Sequence, residues 1–481
     1  MPQNSRKVFK TVVKSLICDT IKGRIIKKGI SRVFSMNSMT EGSISRKIVL
    51  FALPVFLGQL LQQLYNIVDS IVVGRVLGRE ALAAVSSSGS LIFLLVGFIQ
   101  GLFIGAGVII GKRYGAKEYE GVHVAVHTAI AFGLIMGPTL TLIGITATPS
   151  LLRLMGTPAD VMPNSVIYFR VYFLGGLGSV MYNTCCGIFQ AMGDSRHPLY
   201  YLMTSAITNT VLDILFVKFL GFDIAGAAAA TVIAQFLSAG LAFYKLTQVD
   251  GEHRVRIRSI KIDPLTLKQE LGLGLPTGIQ NSVIAIANVI VQSNINAFGG
   301  IAMAGCGSYF KIEGFAFLPI TSFSAALTTF ISQNLGAKKF DRARSGARFG
   351  ILMSVGIAEL IGLTFFLFAP RFISLFSPDP EVIAFGVSQA RTEALFYCLL
   401  ALSHCMAGIL RGAGKTTVPM FVMLACWCVI RITYITIAVR LFPVIETVFK
   451  AYPLTWSLSS IIFVIYYFRA DWVHSFEKKA V

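Results

Sequence analysis

Apolar stretches of about twenty residues or more recur along the chain, separated by short polar turns, and each one predicts a helix. Twelve are drawn, at 48–74, 81–111, 122–147, 164–190, 198–220, 224–247, 269–298, 308–334, 346–369, 382–410, 417–441 and 451–469. In the first, which contains LPVFLGQLLQQLYNIVDSIVVG from Leu53 to Gly74, the polar positions are not scattered. Gln62, Tyr65, Asn66 and Asp69 fall at i, i+3, i+4 and i+7, which places them in one stripe on an otherwise apolar helix. A carboxylate in a spanning helix is costly. Such residues face a protein interior or a watery cavity and mark an ion or substrate path. The plainer alternative is a local structural pair or an acid near the headgroups.

Composition strengthens the membrane reading. Of 481 residues 55% are hydrophobic and 14% charged, with a mean hydropathy of +0.72. A soluble domain does not need so much apolar surface, so the expected fold class is an all-α polytopic membrane protein. No catalytic constellation stands out, which argues against an enzyme, and no cofactor is expected. GILRGAGKTT at 408–417 superficially suggests a phosphate loop. Its first glycine is one residue too far from Gly414-Lys415 and it follows a membrane helix instead of a strand, so it reads as a helix-to-helix turn.

The net charge of +19 would suggest nucleic acid in a soluble protein. Here Lys and Arg gather in the loops of one side: Lys112, Arg113 and Lys117; Arg254, Arg256, Arg258 and Lys261; Lys338, Lys339, Arg342, Arg344 and Arg348. The opposite loops hold scattered residues such as Arg153, Arg371 and Arg440. The positive-inside rule makes the basic side cytoplasmic. An even number of spans puts both termini there, in a plasma-membrane protein with no nucleic-acid partner. The eight cysteines (18, 185, 186, 306, 398, 405, 426 and 428) lie mostly in apolar segments without metal-like spacing and read as small core residues. Residues 1–38 are basic, with Asp19 as their lone acid. They read as a surface helix on anionic lipid or as an upstream extension, the working start being Met36 or Met39.

The chain repeats itself. YGAKEYE at 114–120 matches LGAKKFD at 335–341, and GIFQAMGDSRHPLY at 187–200 matches GILRGAGKTTVPMF at 408–421, both at an offset of 221. Arg170 and Arg391 obey the same offset, while Leu53-Pro54 matches Leu275-Pro276 and Asn66 matches Asn288 at 222. The expected organisation is a first six-helix bundle at 40–247, a linker at 248–268, a second bundle at 269–470 and a tail at 471–481. Six spans per half give both copies one orientation, the architecture of an alternating-access carrier with a cavity between two bundles. Gly97, Gly101 and Gly105, four residues apart, predict a surface for close helix packing.

Counting residues from the helix ends places Asp69, Asp213 and Thr231 at one depth, ~8–11 Å below the outer surface at about 1.5 Å per residue. Asn209 is one turn from Asp213, and Gln235 one turn from Thr231. Two carboxylates, an amide and a hydroxyl in one lobe suit a small hard cation or a shared proton. The alternative is that Asp213 only caps or pairs locally, with Lys218 nearby. In the second half, helix 7 carries Asn281, Asn288 and Gln292 on one face and Gln280 beside it, and reads as having no acid in its span. Glu313, Glu359 and Glu393 lie in helices 8, 9 and 10, and Arg431, deep in helix 11, reads as a buried partner for one of them, Glu393 being the candidate. His127 and His404 read as satisfied polar residues.

With Pro54 followed by YNIVDSIVVGRVLG, the GA-K turns, QAMGD and RGAGK, and NTVLDILFV in helix 5, residues 40–470 resemble the multidrug and toxic-compound extrusion (MATE) family. The resemblance implies two pseudo-symmetric six-helix bundles forming a V that expel organic cations in exchange for Na⁺ or protons. It implies a coupling site in the first lobe, at Asp69, Asn209, Asp213 and Thr231, with Ala227 where a backbone carbonyl completes the cation shell. Some members use an acid in helix 7, where this chain has Gln280 and Asn281. The expected mechanism bends helix 1 at Pro54 or sets ion against drug, with Gln62, Tyr65, Asn66, Gln280, Asn281, Asn288 and Gln292 as candidates for the drug cavity. Expected partners are amphipathic cations and the lipid bilayer, for a monomer. The rival reading is a lipid or lipid-linked oligosaccharide flippase, which would need cationic groups in the cavity.

Overall fold

The computed structural model describes residues 38–477, apart from 155, 156, 158, 250 and 252; the basic leader up to Asn37 and residues 478–481 lie outside the described residues. The described chain is helical, with no strand among the described residues. Helices α1 (Ile44–Val76), α2 (Arg79–Gly115) and α3 (Tyr119–Leu154) are followed by a broken α4 (Met162–Leu174 and Gly176–Ala191). Next come α5 (Arg196–Phe219), α6 (Ile224–Gln248), α7 (Pro264–Asn296), α8 (Gly300–Gly336) and α9 (Phe340–Ser374). The chain closes with α10 (Pro380–Gly412), α11 (Thr417–Leu441) and α12 (Ile445–Arg469). All but α4 contain a stretch long and apolar enough to cross a bilayer. The uninterrupted span expected at 164–190 is thus corrected: α4 breaks at Gly175.

The duplication is written into the backbone. The bounds of α2 and α8, the starts of α3 and α9, and the bounds of α6 and α12 coincide at the offset of 221. So do the left-handed residues. Lys117 (φ 60°) pairs with Lys338 (φ 56°), Gly78 (89°) with Gly299 (98°), and Gly193 (86°) with Gly414 (70°). A lysine in this region is strained by its Cβ, so its recurrence at both GA-K turns marks one turn geometry used twice.

The halves interlock. Helix α1 packs on α5 but also on α8 and α9 of the other half, and α7 packs along α2. The glycine stripe explains the second contact. A Cβ on Gly101 would fall on the backbone of Gly278, and one on Gly105 on the backbone of Glu270 and Gly274. Their absence lets two helix backbones touch. At the end bearing the GA-K turns, here the basic end, Gly115 meets the backbone of Gln333 and Gly336 that of Lys112. The Gln333 amide clasps this closure: Nε2 donates to the Ala191 carbonyl at 2.7 Å, and Oε1 accepts from the Met39 amide at 2.8 Å. We expect Gln333→Ala to leave a buried carbonyl and a buried amide unpaired, at a cost of about 1–3 kcal/mol. Thermal unfolding of the purified protein reads that loss.

The loop before α7 is fixed as firmly. The Asp263 carboxylate accepts from the Thr266 amide at 2.8 Å and caps the helix, with Pro264 in its first turn. Hydrogen bonds from Thr266 hold that carboxyl below its ordinary range. His127 is buried and satisfied: Nε2 accepts from the Arg256 amide, which leaves Nδ1–H to donate to the His123 carbonyl. Seven cysteines of the described chain are free thiols and six of them are buried.

Candidate functional site

Three helices of the first half converge on one buried group. Helix α1 brings Asp69, α5 brings Asn209 and Asp213, and α6 brings Ala227, Thr231 and Gln235. Asp213 is 1% exposed and Asn209 3%, although both belong to a helix whose spanning stretch is otherwise little buried. Burying an isolated carboxylate is costly, so its position calls for a partner. The partner is a second acid: the Asp69 and Asp213 carboxyl groups lie within hydrogen-bonding reach of each other. The Asn209 amide donates to Thr231 Oγ1 at 3.2 Å, and the Thr231 hydroxyl donates to the Ala227 carbonyl at 3.3 Å. Those bonds use the Asn209 amide nitrogen and leave its Oδ1 buried without a donor.

The decisive feature is what these oxygens lack. Asp69 Oδ1, both oxygens of Asp213, Asn209 Oδ1 and Gln235 Oε1 are buried without a donor. An unsatisfied buried acceptor costs about 1–3 kcal/mol, and such a group of them suits a proton or a small hard cation. Lys218 does not supply the charge. It is exposed, with its ammonium 5.9 Å from the Phe219 ring, and the ion pairs of Asp194, Asp341 and Asp471 lie elsewhere. The donor set is oxygen only, and among the described residues no cluster of three His, Cys, Asp or Glu side chains forms a metal site.

Local backbone irregularity accompanies the site. A π-helical turn, Ile214–Phe219, begins immediately after Asp213. Such turns insert an extra residue and recur at functional positions. Pro54 lies inside α1 and is buried; it removes one helical hydrogen bond about four turns from Asp69.

Two residues were not singled out by sequence reasoning. Tyr168 and Tyr172 of α4, with ring centroids 6.3 Å apart, line the acids together with Tyr65. The Gln235 amide donates to the Tyr172 hydroxyl at 3.4 Å. Their i, i+4 spacing was the available signal. Gln59 of α1 also went unnoticed: its Oε1 accepts from Thr321 of α8 at 2.8 Å and so ties α1 to the other half.

The remaining candidates divide. Gln62 and Asn66 on α1 and Asn288 on α7 are exposed, while Gln292 is half-buried and donates to Asn296 at 2.8 Å. Gln280 and Asn281 are engaged in helix packing: the Gln280 amide lies 2.9 Å from the Met423 sulfur, and the Asn281 amide donates to the Gly97 carbonyl at 3.0 Å. The acid-free reading of helix 7 is corrected. Glu270 stands on α7, 3% exposed, at the basic end beside Arg113. It lies ten residues from Gln280, ~15 Å along the helix, far from the stripe of Asn281, Asn288 and Gln292.

Arg431 also departs from expectation. No ion pair joins it to Glu393. Its Nε and Nη2 donate to Thr455 Oγ1 at 3.2 and 2.8 Å, and its guanidinium lies 4.4 Å from the Tyr452 ring centroid and 5.5 Å from that of Trp427. Ring faces can hold a desolvated guanidinium, so a carboxylate partner is not required. Glu393 instead accepts from Gln389 at 2.9 Å, and the Glu359 carboxylate accepts from the Cys398 amide at 3.3 Å.

A polytopic helical duplication with a buried acid pair held inside its first half reads as a membrane transporter. The MatE family model matches residues 54–215 and again 276–437, once in each half. The chain therefore belongs to the MATE family of transporters. It is 30% identical over 396 residues to "Probable multidrug resistance protein YoeA" of Bacillus subtilis, covering 81% of this chain and 86% of that one. It is 24% identical to "Probable multidrug resistance protein NorM" of Thermotoga maritima, covering 79% and 82%. A solved structure described as the outward-facing conformation of a multidrug resistance MATE family transporter superposes with a TM-score of 0.83 at 25% identity, over 92% of this chain and 98% of that one.

Proposed function

We propose that the protein exports amphipathic organic cations across the plasma membrane by alternating access, driven by Na⁺ or protons entering at Asp69 and Asp213. The observation that carries this reading is the pair of adjacent carboxyl groups, three of whose four oxygens are buried without a donor among the described residues. Two such acids hold either one external cation or one proton, and a cationic drug nearby competes with both. Coupling follows, because each ligand lowers the affinity for the other by the same factor.

The basic end faces the cytoplasm in this reading, by the positive-inside rule, and both termini lie on that side. Closure at that end by Gly115, Gly336 and Gln333 then corresponds to access from outside. The ion enters, α1 yields at Pro54, the drug leaves, and the halves rock to release the ion inward. The exposed polar residues Gln62, Asn66 and Asn288 serve the drug path, and the protein works as a monomer. A flippase for lipid pyrophosphates would need cations free to bind the ligand, whereas Arg431 is committed to Thr455 and two aromatic rings.

Proteoliposomes with an imposed Na⁺ gradient, and separately an imposed pH gradient, test the proposal with a fluorescent lipophilic cation as cargo. One of the two gradients is expected to drive accumulation against the dye's own gradient. Movement of dye that ignores both gradients contradicts the proposal.

A further inference from the structure

We propose that a pocket at the basic ends of α9 and α12 binds the phosphate of an anionic phospholipid headgroup. The pocket, of about 320 Å³, is lined by Arg344 and Arg348 of α9, Arg469 at the end of α12, and Tyr467, Phe468 and Trp472. All three arginines are exposed. Two carboxylates are near. Asp341 pairs with Arg344 at 3.2 Å but is itself almost fully exposed, and Asp471, which also lines the pocket, accepts from His474 at 2.8 Å. Three guanidiniums against these two carboxylates leave the pocket an excess of positive charge.

The internal duplication shows that this charge is specific to one half. At the offset of 221, Arg344, Arg348 and Arg469 correspond to His123, His127 and Gln248. The helix ends around them coincide to the residue, so the two grooves share one scaffold. In the first half the connecting segment fills the groove: the Arg256 amide donates to His127, and the Val255 amide to the Leu246 carbonyl at 3.0 Å. In the second half residues 470–477 follow α12 instead, with Trp472 and Val473 lining the pocket, and three guanidiniums stand where the first half has two imidazoles and an amide. Guanidinium forks match phosphate oxygens.

The surroundings select a lipid over a soluble phosphate. Phe468 is 78% exposed and Leu352, one turn beyond Arg348, is 72% exposed; with Ile465 they extend the pocket wall onto the membrane-facing surface. The Tyr467 and Trp472 rings stack with centroids 5.3 Å apart. Aromatic rings of this kind mark the membrane–water boundary. Basic pockets between helices at that boundary suit anionic headgroups. The orientation proposed above assigns the lipid to the cytoplasmic leaflet; binding itself does not depend on it.

Native mass spectrometry of the full-length protein with phosphatidylglycerol or phosphatidylcholine tests the assignment. The wild type is expected to retain phosphatidylglycerol preferentially. Replacing Arg344, Arg348 and Arg469 together by Gln should reduce retention to the phosphatidylcholine level. The single changes Arg348→Gln and Arg469→Gln should each cost about fivefold and decide the matter if the triple variant does not fold. Replacing Arg256, Arg258 and Lys261 by Gln, the same loss of charge on the same side, should leave retention unchanged. Equal losses in both sets, or displacement of the lipid by an equal concentration of glycerol phosphate, would overturn the proposal. No step uses transport, so the result is independent of whether export is observed.

Discussion

Asp213→Asn is expected to abolish ion-driven export while the protein still folds and reaches the membrane. The change keeps size and burial but removes one of the two carboxyl groups that must gain and lose a cation or proton. A coupling free energy of typical size corresponds to about 5–150-fold, so accumulation should fall at least into that range, toward passive leak. Asp69→Asn should behave alike, and the double variant should be little worse than either, because the two acids act as one unit. The neutral pair can still hydrogen-bond, so stability should not fall and should rise if the acid pair is strained. Dye accumulation and thermal unfolding measured on the same preparations separate the two effects. Export at wild-type level in either variant would remove that acid from the mechanism.

The second large effect concerns packing. Gly105→Val should destabilise the protein severely, because its Cβ would fall on the backbone of Glu270 and Gly274. A flexible side chain can move aside, but two helix backbones can only separate. Overpacking costs typically 1–3 kcal/mol, occasionally more. With no side chain available to give, this site belongs at the upper end. Gly97→Ala is the matched control. Its Cβ would sit 3.6 Å from the Asn281 Cβ, an ordinary contact, and it should be tolerated. Thermal midpoints of the two purified variants make the comparison. Equal midpoints would show that α2 and α7 do not depend on backbone contact.

These two regions differ in how far the sequence could reveal them. The glycine stripe was visible because four-residue spacing has one meaning on a helix. Its opposite surface, Gly274 and Gly278, was not, since nothing in a one-dimensional pattern says which helix lies across. Asp69, Asp213 and Thr231 could be brought to one depth because helical rise is constant and the spans had clear ends. Tyr168 and Tyr172 escaped because aromatic residues in a span are usually spent on packing, and because α4 breaks at Gly175. Glu270 escaped by position: it stands second in the span drawn at 269–298, away from the Asn281, Asn288 and Gln292 face, whereas α7 begins six residues earlier at Pro264 and holds it well inside the helix. For Arg431, charge alone suggested a carboxylate, whereas the fold supplies Thr455 and two rings. Spacing along one helix is thus legible, while contacts between helices depend on a register the chain does not spell out.

The account depends most on one ligand displacing the other at the acid pair. Binding of a fluorescent lipophilic cation to the purified protein, measured across Na⁺ concentrations at fixed pH and across pH without Na⁺, tests this directly. The predicted result is a dissociation constant that rises with Na⁺ or with falling pH in the wild type, and is flat in both series for Asp213→Asn. A dissociation constant indifferent to both ions in the wild type, or an ion dependence that persists unchanged in Asp213→Asn, would contradict it.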